Sequence, residues 1–235
     1  MASSSLASTQ IQERLAALLA LIAGYVDGYG YISYNTYLSF MSGNTTLTGY
    51  RIGEEKLASA LPPLVAIVFF VIGVFAGTLL THSGTRRSRR LVFVAVAVLL
   101  ALILGAMQVS SLPTDLQIAT LSLAMGIMNT ALGHVGAQLV NLTYVTGTLS
   151  RIGRHLAMAF RHSPLADAQG PWDTHRRRAL LLAIVWSAFF IGALLAGAAT
   201  PQFAARTLLP PILVLLVLAA SNGPAVNAPE SPKPE

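Results

Sequence analysis

The stretch FMSGNTTLTG, residues 40–49, interrupts a strongly apolar chain with hydroxyls, an amide and two glycines. Polar side chains gain little from burial in lipid, so their presence in a membrane segment needs another reason. A related stretch, TYVTGT at residues 143–148, returns about a hundred residues later. We call residues 40–49 the first glycine element and residues 143–148 the second glycine element. Their recurrence predicts that the chain is built from two related halves.

The composition around these elements is that of a membrane protein. Of the 235 residues, 54% are hydrophobic and only 10% are charged, whereas soluble domains carry about 25% charged residues. Six apolar stretches have lengths near the ~20 residues that cross a bilayer core, although the sixth is short. We therefore predict an all-α polytopic membrane protein with six transmembrane helices. The stretches are 15–33, 60–80, 91–110, 116–134, 179–199 and 207–220.

Arginine placement predicts the orientation of these spans. Most of the 15 basic residues fall in two loops, 81–90 and 151–178, which the positive-inside rule places in the cytoplasm. With six spans, both the N-terminus and the C-terminus are then cytoplasmic. The high pI comes from these orientation signals, so no nucleic-acid partner is expected. The chain has no cysteine, which excludes disulfides and thiol chemistry.

The two halves match beyond the glycine elements. Gly24-Tyr25-Val26-Asp27 corresponds to Gly126-Ile127-Met128-Asn129, and Arg51-Ile52-Gly53 corresponds to Arg151-Ile152-Gly153. Each half holds three spans, so the second half enters the membrane from the opposite side. This predicts two inverted three-helix repeats, each with a broken or re-entrant Gly/Thr/Asn element, as in many transporters. Chance similarity between two Gly/Ala-rich halves is the alternative.

These patterns divide the chain into four parts. Residues 1–14 form a flexible N-terminus and residues 15–110 the first membrane repeat. Residues 111–220 form the second repeat, which includes the cytoplasmic loop 151–178. The proline-rich residues 221–235 are expected to be a disordered tail.

Asp27 is the only acidic residue within a predicted span. A carboxylate in the bilayer costs about 2.5–3.5 kcal/mol on insertion scales and usually faces the bundle interior. Three roles stay open: a proton or cation site, a hydrogen-bond anchor for a broken helix, or a structural partner for a neighbouring group. In the second half Asn129, which does not titrate, takes its place.

The polar residues of both elements are candidate solute ligands, because glycine permits close approach and helix N-termini bind anions. Helix capping combined with tight packing is the alternative explanation. The predicted substrate-binding residues are Asp27, Ser42, Gly43, Asn44, Thr45, Asn129, Thr146, Gly147 and Thr148, with Tyr25, Tyr144 and His134 as secondary candidates. No metal-ligand spacing is present, and no cofactor is expected.

The motifs GYVDGYGY, FMSGNTTL and TYVTGTLSRIG resemble those of the YoaK family of bacterial inner-membrane proteins. The resemblance covers roughly residues 15 to 220 and implies about six spans in the bacterial inner membrane. Gly24, Asp27, Gly43 and Asn44 match the family's first group of motif residues, and Ser42 replaces its more usual threonine. The family is one of unknown function, so the resemblance implies no activity.

Two functions from different classes remain open. The first is a small transporter or channel that binds a polar solute or an anion between residues 42–46 and residues 146–149, with Asp27 and Asn129 close by. The second is a non-transporting scaffold or sensor that acts through its basic cytoplasmic loops. No P-loop, dinucleotide fingerprint, zinc motif or nucleophile elbow occurs, so an enzyme is not expected. Expected partners are the lipid bilayer, the solute and a second copy of the chain in a homo-oligomer.

Overall fold

A computed structural model describes residues 2–82, 85–132, 134–135, 138–139, 143 and 145–221. Eight α-helices and one 3-10 turn account for nearly all of these residues. The helices are α1 (Ala2–Tyr34), α2 (Met41–Gly53), α3 (Leu57–Thr81), α4 (Arg86–Val109), α5 (Thr114–Asn129), α6 (Val145–Phe160), α7 (His175–Phe203) and α8 (Leu209–Ala220), and the 3-10 turn is Ala204–Leu208.

Each of the six predicted apolar stretches contains a helix, and the glycine elements begin two more. Four segments of the described chain are long and apolar enough to cross a membrane: Thr9–Tyr34, Leu57–Thr81, Arg87–Val109 and His175–Ala220. The last contains both α7 and α8, separated where Ala204 takes a positive φ of 48°. Helix α8 has 12 residues, or about 18 Å at 1.5 Å per residue, which is too short to cross a bilayer alone.

The helix predicted over 116–134 ends earlier, at Asn129. The Thr130 amide donates to Ile127 O at 3.1 Å, and the Thr130 hydroxyl donates to the same carbonyl at 2.8 Å, closing the last turn. Beyond it, His134–Val135 pairs antiparallel with Gln138–Leu139. These local capping bonds end α5, and a short ribbon of two two-residue strands follows it.

Helices α1 and α7 pack side by side along most of their length. Glu13, near the start of α1, pairs with Arg177, near the start of α7, at 2.9 Å. Towards their other ends, Gly28 lies against Ala196. The contacts advance in the same direction along both helices, so α1 and α7 run parallel.

Glycines make this contact close. A Cβ added at Gly24 would collide with the carbonyl of Phe189, and one added at Gly192 would collide with the carbonyl of Leu21. Small residues at such positions let two helix backbones approach, which is a common way to join helices in membranes.

Helices α3 and α5 form a second pair built in the same way. A Cβ at Gly73 would collide with the carbonyl of Leu123, and one at Gly126 with the carbonyl of Phe70. Further along, Gly77 lies against Ile127, so α3 and α5 also run parallel.

The two pairs are linked at the end of α1. The Tyr34 hydroxyl, at the end of α1, donates to Oε1 of Gln117, near the start of α5, at 2.8 Å. Helices α1 and α5 therefore run in opposite directions. Helix α4 packs against both α5 and α8, which completes the bundle.

Helix α2 is a short helix held between two long ones. It has 13 residues and packs against α3. Arg51, which is buried, donates to Ser59 O at 2.7 Å and to Asn35 O at 3.3 Å. The Arg51 guanidinium thus links the end of α1 to the start of α3 and holds α2 between them.

Candidate functional site

Asp27 holds the connection between α1 and α2 against the inside of the bundle. Its carboxylate, only 3% exposed, accepts from the backbone amide of Leu38 at 2.8 Å and from that of Ser39 at 2.6 Å on the same oxygen. The Ser39 hydroxyl donates to the other oxygen at 2.7 Å. Asp27 therefore holds the 35–40 connection through these hydrogen bonds, and its role as a proton or cation site stays a prediction.

Two residues of the first glycine element close this connection onto α2. The Asn44 side chain accepts from the Tyr37 amide at 3.0 Å and donates to the Tyr37 carbonyl at 2.7 Å. Gly43 lies against the rings of Phe40 and Tyr37, where a Cβ would collide. Both residues therefore make contacts that hold the connection against α2. The sequence alone did not distinguish this role from solute binding.

A cavity of about 390 Å³ opens beside this connection. Residues from four parts of the chain line it: α1, the 35–40 connection, the first residue of α6, and α7. They are Asp27, Gly28, Tyr31, Ile32, Tyr37, Phe40, Val145, Phe189 and Ala193. Phe40 begins the first glycine element and Val145 belongs to the second, so the two elements meet across this cavity.

The hydroxyl residues of the elements lie away from the cavity. Ser42, Thr45 and Thr146 are exposed, and the Thr45 hydroxyl donates to the Met41 carbonyl one turn earlier, at 2.8 Å. None of the three lines the cavity. Their role as solute ligands stays a prediction.

The other predicted ligands are dispersed. Gly147 and Thr148 are buried within α6, and Tyr25 is 7% exposed within α1. Asn129 ends α5, and its amide oxygen is buried without a hydrogen-bond partner among the described residues. Tyr144 and the His134 side chain lie outside the described residues.

The sequence did not single out the aromatic wall of the cavity. Tyr31 and Tyr37 stack with ring centroids 4.9 Å apart, and Phe40 meets Tyr37 edge-on at 5.2 Å. These tyrosines resemble an interfacial aromatic belt in the sequence. The Tyr-rich segment after Asp27 was the sequence feature that could have indicated this wall. Phe189, which lines the same cavity, lies more than 150 residues further along the chain.

The chain entering α7 is fixed by a second polar cluster. Arg178 donates to the carboxylates of Asp173, at 2.7 Å, and Asp167, at 2.9 Å. Burial acts to raise the pKa of Asp173, but hydrogen bonds from Arg178 and from the Gln169 amide outweigh it, so this pKa lies below its usual value. The Arg178 hydrogen bond likewise lowers the pKa of Asp167. These charges order the connection between α6 and α7.

A histidine pair attaches α6 to the start of α7. Nδ1 of His155 and Nδ1 of His175 lie 2.8 Å apart, so one ring donates and the other accepts. No cluster of three or more potential metal ligands occurs in the described residues. The hydrogen bond between the two rings links α6, whose first residue lines the cavity, to the start of α7.

The histidine joint is expected to loosen as the pH falls. Burial, followed by repulsion from His175 and Arg178, lowers the pKa of His155 below its ordinary 6.5. A lowered histidine pKa means that the joint is intact above pH 6.5 and is lost as the pH falls through the lower value. When the pH falls from 7.5 to 5, hydrogen exchange of residues 150–160, corrected for intrinsic rates, should accelerate. The expected factor is up to about tenfold for each unit by which folding lowers the pKa of His155.

His155→Gln provides the control for this measurement. The variant should exchange faster than the wild type at pH 7.5 and show little further change at pH 5. Equal acceleration in both proteins would contradict a role for the histidine pair.

Known proteins resemble this chain over most of its length. A family model described as "Protein of unknown function (DUF1275)" matches residues 15–221. The chain belongs to the DUF1275 family. Two relatives are similar over most of their length. UPF0700 transmembrane protein YoaK of Bacillus subtilis (strain 168) is 27% identical over 197 residues, covering 80% of this chain and 84% of the relative.

The second relative matches a larger part of this chain. UPF0700 transmembrane protein RA0705 of Rhizobium meliloti (strain 1021) is 29% identical over 210 residues, covering 88% of this chain and 84% of the relative. No solved structure matches the chain significantly. The resemblance to the YoaK family is confirmed, and this DUF1275 protein is an integral membrane protein with several apolar helices.

Proposed function

We propose that the protein is a small transporter of the bacterial inner membrane, with a solute site in the cavity beside Asp27. The observation that carries the proposal is the meeting of the two glycine elements at this cavity, through Phe40 and Val145. Broken helices in matching positions of two halves are typical of transporter substrate sites. The cavity is also within the usual size range for small-molecule sites.

The packing of the helices supports two inverted repeats. If α1 corresponds to α5 and α3 to α7, then a two-fold axis exchanges the α1–α7 pair with the α5–α3 pair. Both pairs are parallel and glycine-packed, and α1 opposes α5 in direction. Gly24 and Gly126, the matched residues of the sequence repeat, occupy equivalent positions in the two pairs.

The predicted orientation agrees with these directions. If the six successive spans cross the membrane in alternating directions, α1 and α7 run in one direction and α3 and α5 in the other. This matches the two parallel helix pairs. The ion pair of Glu13 with Arg177 places the beginning of α1 at the same end as the basic 151–178 segment. Under the positive-inside rule that end is cytoplasmic.

Access to the cavity from both sides of the membrane tests this proposal without knowledge of the solute. Since the chain has no cysteine, Ala193→Cys gives a single reporter on the cavity wall. Ala193 lies fifteen residues beyond Arg178 in α7, or about 23 Å along the helix. A reagent that arrives from the Arg178 side has to pass about that distance into the bundle.

A transporter predicts that an impermeant thiol reagent labels Ala193→Cys from either face, in right-side-out and in inverted vesicles. Leu213→Cys, 61% exposed on α8, is the matched control and should stay unlabelled in lipid. Labelling of Ala193→Cys from one face only would contradict transport and favour the scaffold.

A further inference from the structure

We propose that the cavity beside Asp27 binds an organic cation with a flat, apolar body. This rests on the proposed function, because it names the substrate class of the same site. It differs from the anion suggested by the glycine elements. The juxtaposition of one buried carboxylate with an aromatic wall carries the inference.

The carboxylate has no counter-charge among the residues that the structure describes. Its hydrogen bonds come from neutral donors, among them the amides of Leu38 and Ser39 and the Ser39 hydroxyl. Neutral donors orient a carboxylate but leave its net charge. Among the described residues, no Lys, Arg or His forms an ion pair with Asp27. A buried intramembrane charge without a partner marks a functional site by default.

The wall of the cavity suits a cation. Tyr31, Tyr37 and Phe40 form a contiguous aromatic cluster on one side, and Phe189 lies on the α7 side. Aromatic faces attract cations, most strongly where water is excluded, and aromatic cages recognise quaternary ammonium groups. The remaining lining residues, Gly28, Ile32, Val145 and Ala193, are apolar, so they match an apolar body.

An anion fits the same cavity poorly. Within the described part of the chain, no basic residue lines the cavity, and the Asp27 carboxylate would repel a negative group. The α6 helix begins at Val145, but the exposed Thr146 hydroxyl does not line the cavity. Charge and lining therefore favour a cation.

Three probes of similar shape test the charge preference. Phenyltrimethylammonium is the cation, tert-butylbenzene its neutral isostere and benzenesulfonate the anion. Calorimetric titration of the full chain in lipid nanodiscs, with empty nanodiscs subtracted, should show saturable binding of phenyltrimethylammonium alone. Asp27→Asn should weaken it at least about tenfold, the effect of removing one charge contact of modest strength.

Asp27→Asn is suited to this test because we expect it to keep the fold. The asparagine oxygen can still accept from the Leu38 and Ser39 amides, and its NH₂ can donate to the Ser39 hydroxyl. Asp115→Asn is the matched control: it removes the same charge in the first turn of α5 and should leave binding unchanged. Tyr31→Leu should weaken binding while Tyr31→Phe retains it, because the aromatic face and not the hydroxyl makes the contact.

Each outcome distinguishes the substrate class from the transporter proposal. Equal binding to wild type and Asp27→Asn, or preferential binding of either other probe, overturns the cation inference. If Ala193→Cys is still labelled from both faces, transport stands and only the substrate class fails. If labelling is one-sided while Asp27-dependent cation binding persists, the site stands and transport fails.

Discussion

Gly192→Val is expected to destroy the α1–α7 pair, with a loss of about 3 kcal/mol or more, the upper part of the range for overpacked cores. The reason is steric. A Cβ at Gly192 collides with the carbonyl of Leu21 and lies 2.8 Å from the backbone nitrogen of Tyr25. Backbone atoms cannot move aside as a flexible side chain can. Denaturant titration and size-exclusion profiles of the purified protein measure the loss.

Gly197→Val provides the control on the same helix. An added Cβ at Gly197 meets nothing within 4 Å, so this variant has the same change in helix propensity without the collision. It should remain folded and monodisperse. Similar destabilisation of both variants would contradict close packing at Gly192.

The second helix pair should respond in the same way. Gly126→Val places a side chain against the carbonyl of Phe70 and the backbone of Gly73. Gly105→Val, which meets nothing within 4 Å, is its control. Loss of folding in Gly192→Val and in Gly126→Val, with both controls intact, is the result expected if both pairs support the bundle.

Asp27→Ala is expected to release the 35–40 connection and to lower the free energy of unfolding by about 2–6 kcal/mol. It leaves the buried amides of Leu38 and Ser39 without an acceptor, at about 1–3 kcal/mol each. Asp27→Asn should lose far less, because an amide oxygen still accepts both bonds. Unfolding titrations of both variants, with hydrogen exchange of residues 35–40, provide the measurement.

The two variants separate the structural role of Asp27 from its charge. Asp27→Ala should increase exchange at the amides of Leu38 and Ser39, whereas Asp27→Asn should leave it near the wild-type rate. Equal protection in the wild type and Asp27→Ala would mean that other contacts hold the connection.

Much of the architecture follows from the sequence. Apolar length and low charge predict six helical stretches, and each of them contains a helix, because a segment in lipid must satisfy its backbone hydrogen bonds internally. Helix ends follow less well. The α5 helix ends five residues before the predicted boundary at 134, because capping at Thr130 is a local contact that hydrophobicity does not report.

The candidate site follows only in part. Asp27 stands out because an acid within an apolar stretch is rare, and it does lie at the cavity. Asn44 and Gly43 stand out because they belong to a polar, glycine-containing stretch of an apolar chain, yet Asn44 binds the Tyr37 backbone and Gly43 packs against Phe40 and Tyr37. A polar residue that binds a solute and one that closes a turn have the same signature in a sequence.

The membrane class, the helical segments, the family motifs and the unusual charge of Asp27 can be read from short stretches of the sequence. The packing of helices cannot: the fold shows that α1 packs on α7 and α3 on α5, and that Phe40, Val145 and Phe189 surround one cavity. These residues are far apart in the chain. Their meeting depends on how closely glycines let the helix backbones approach, and no local pattern records that distance.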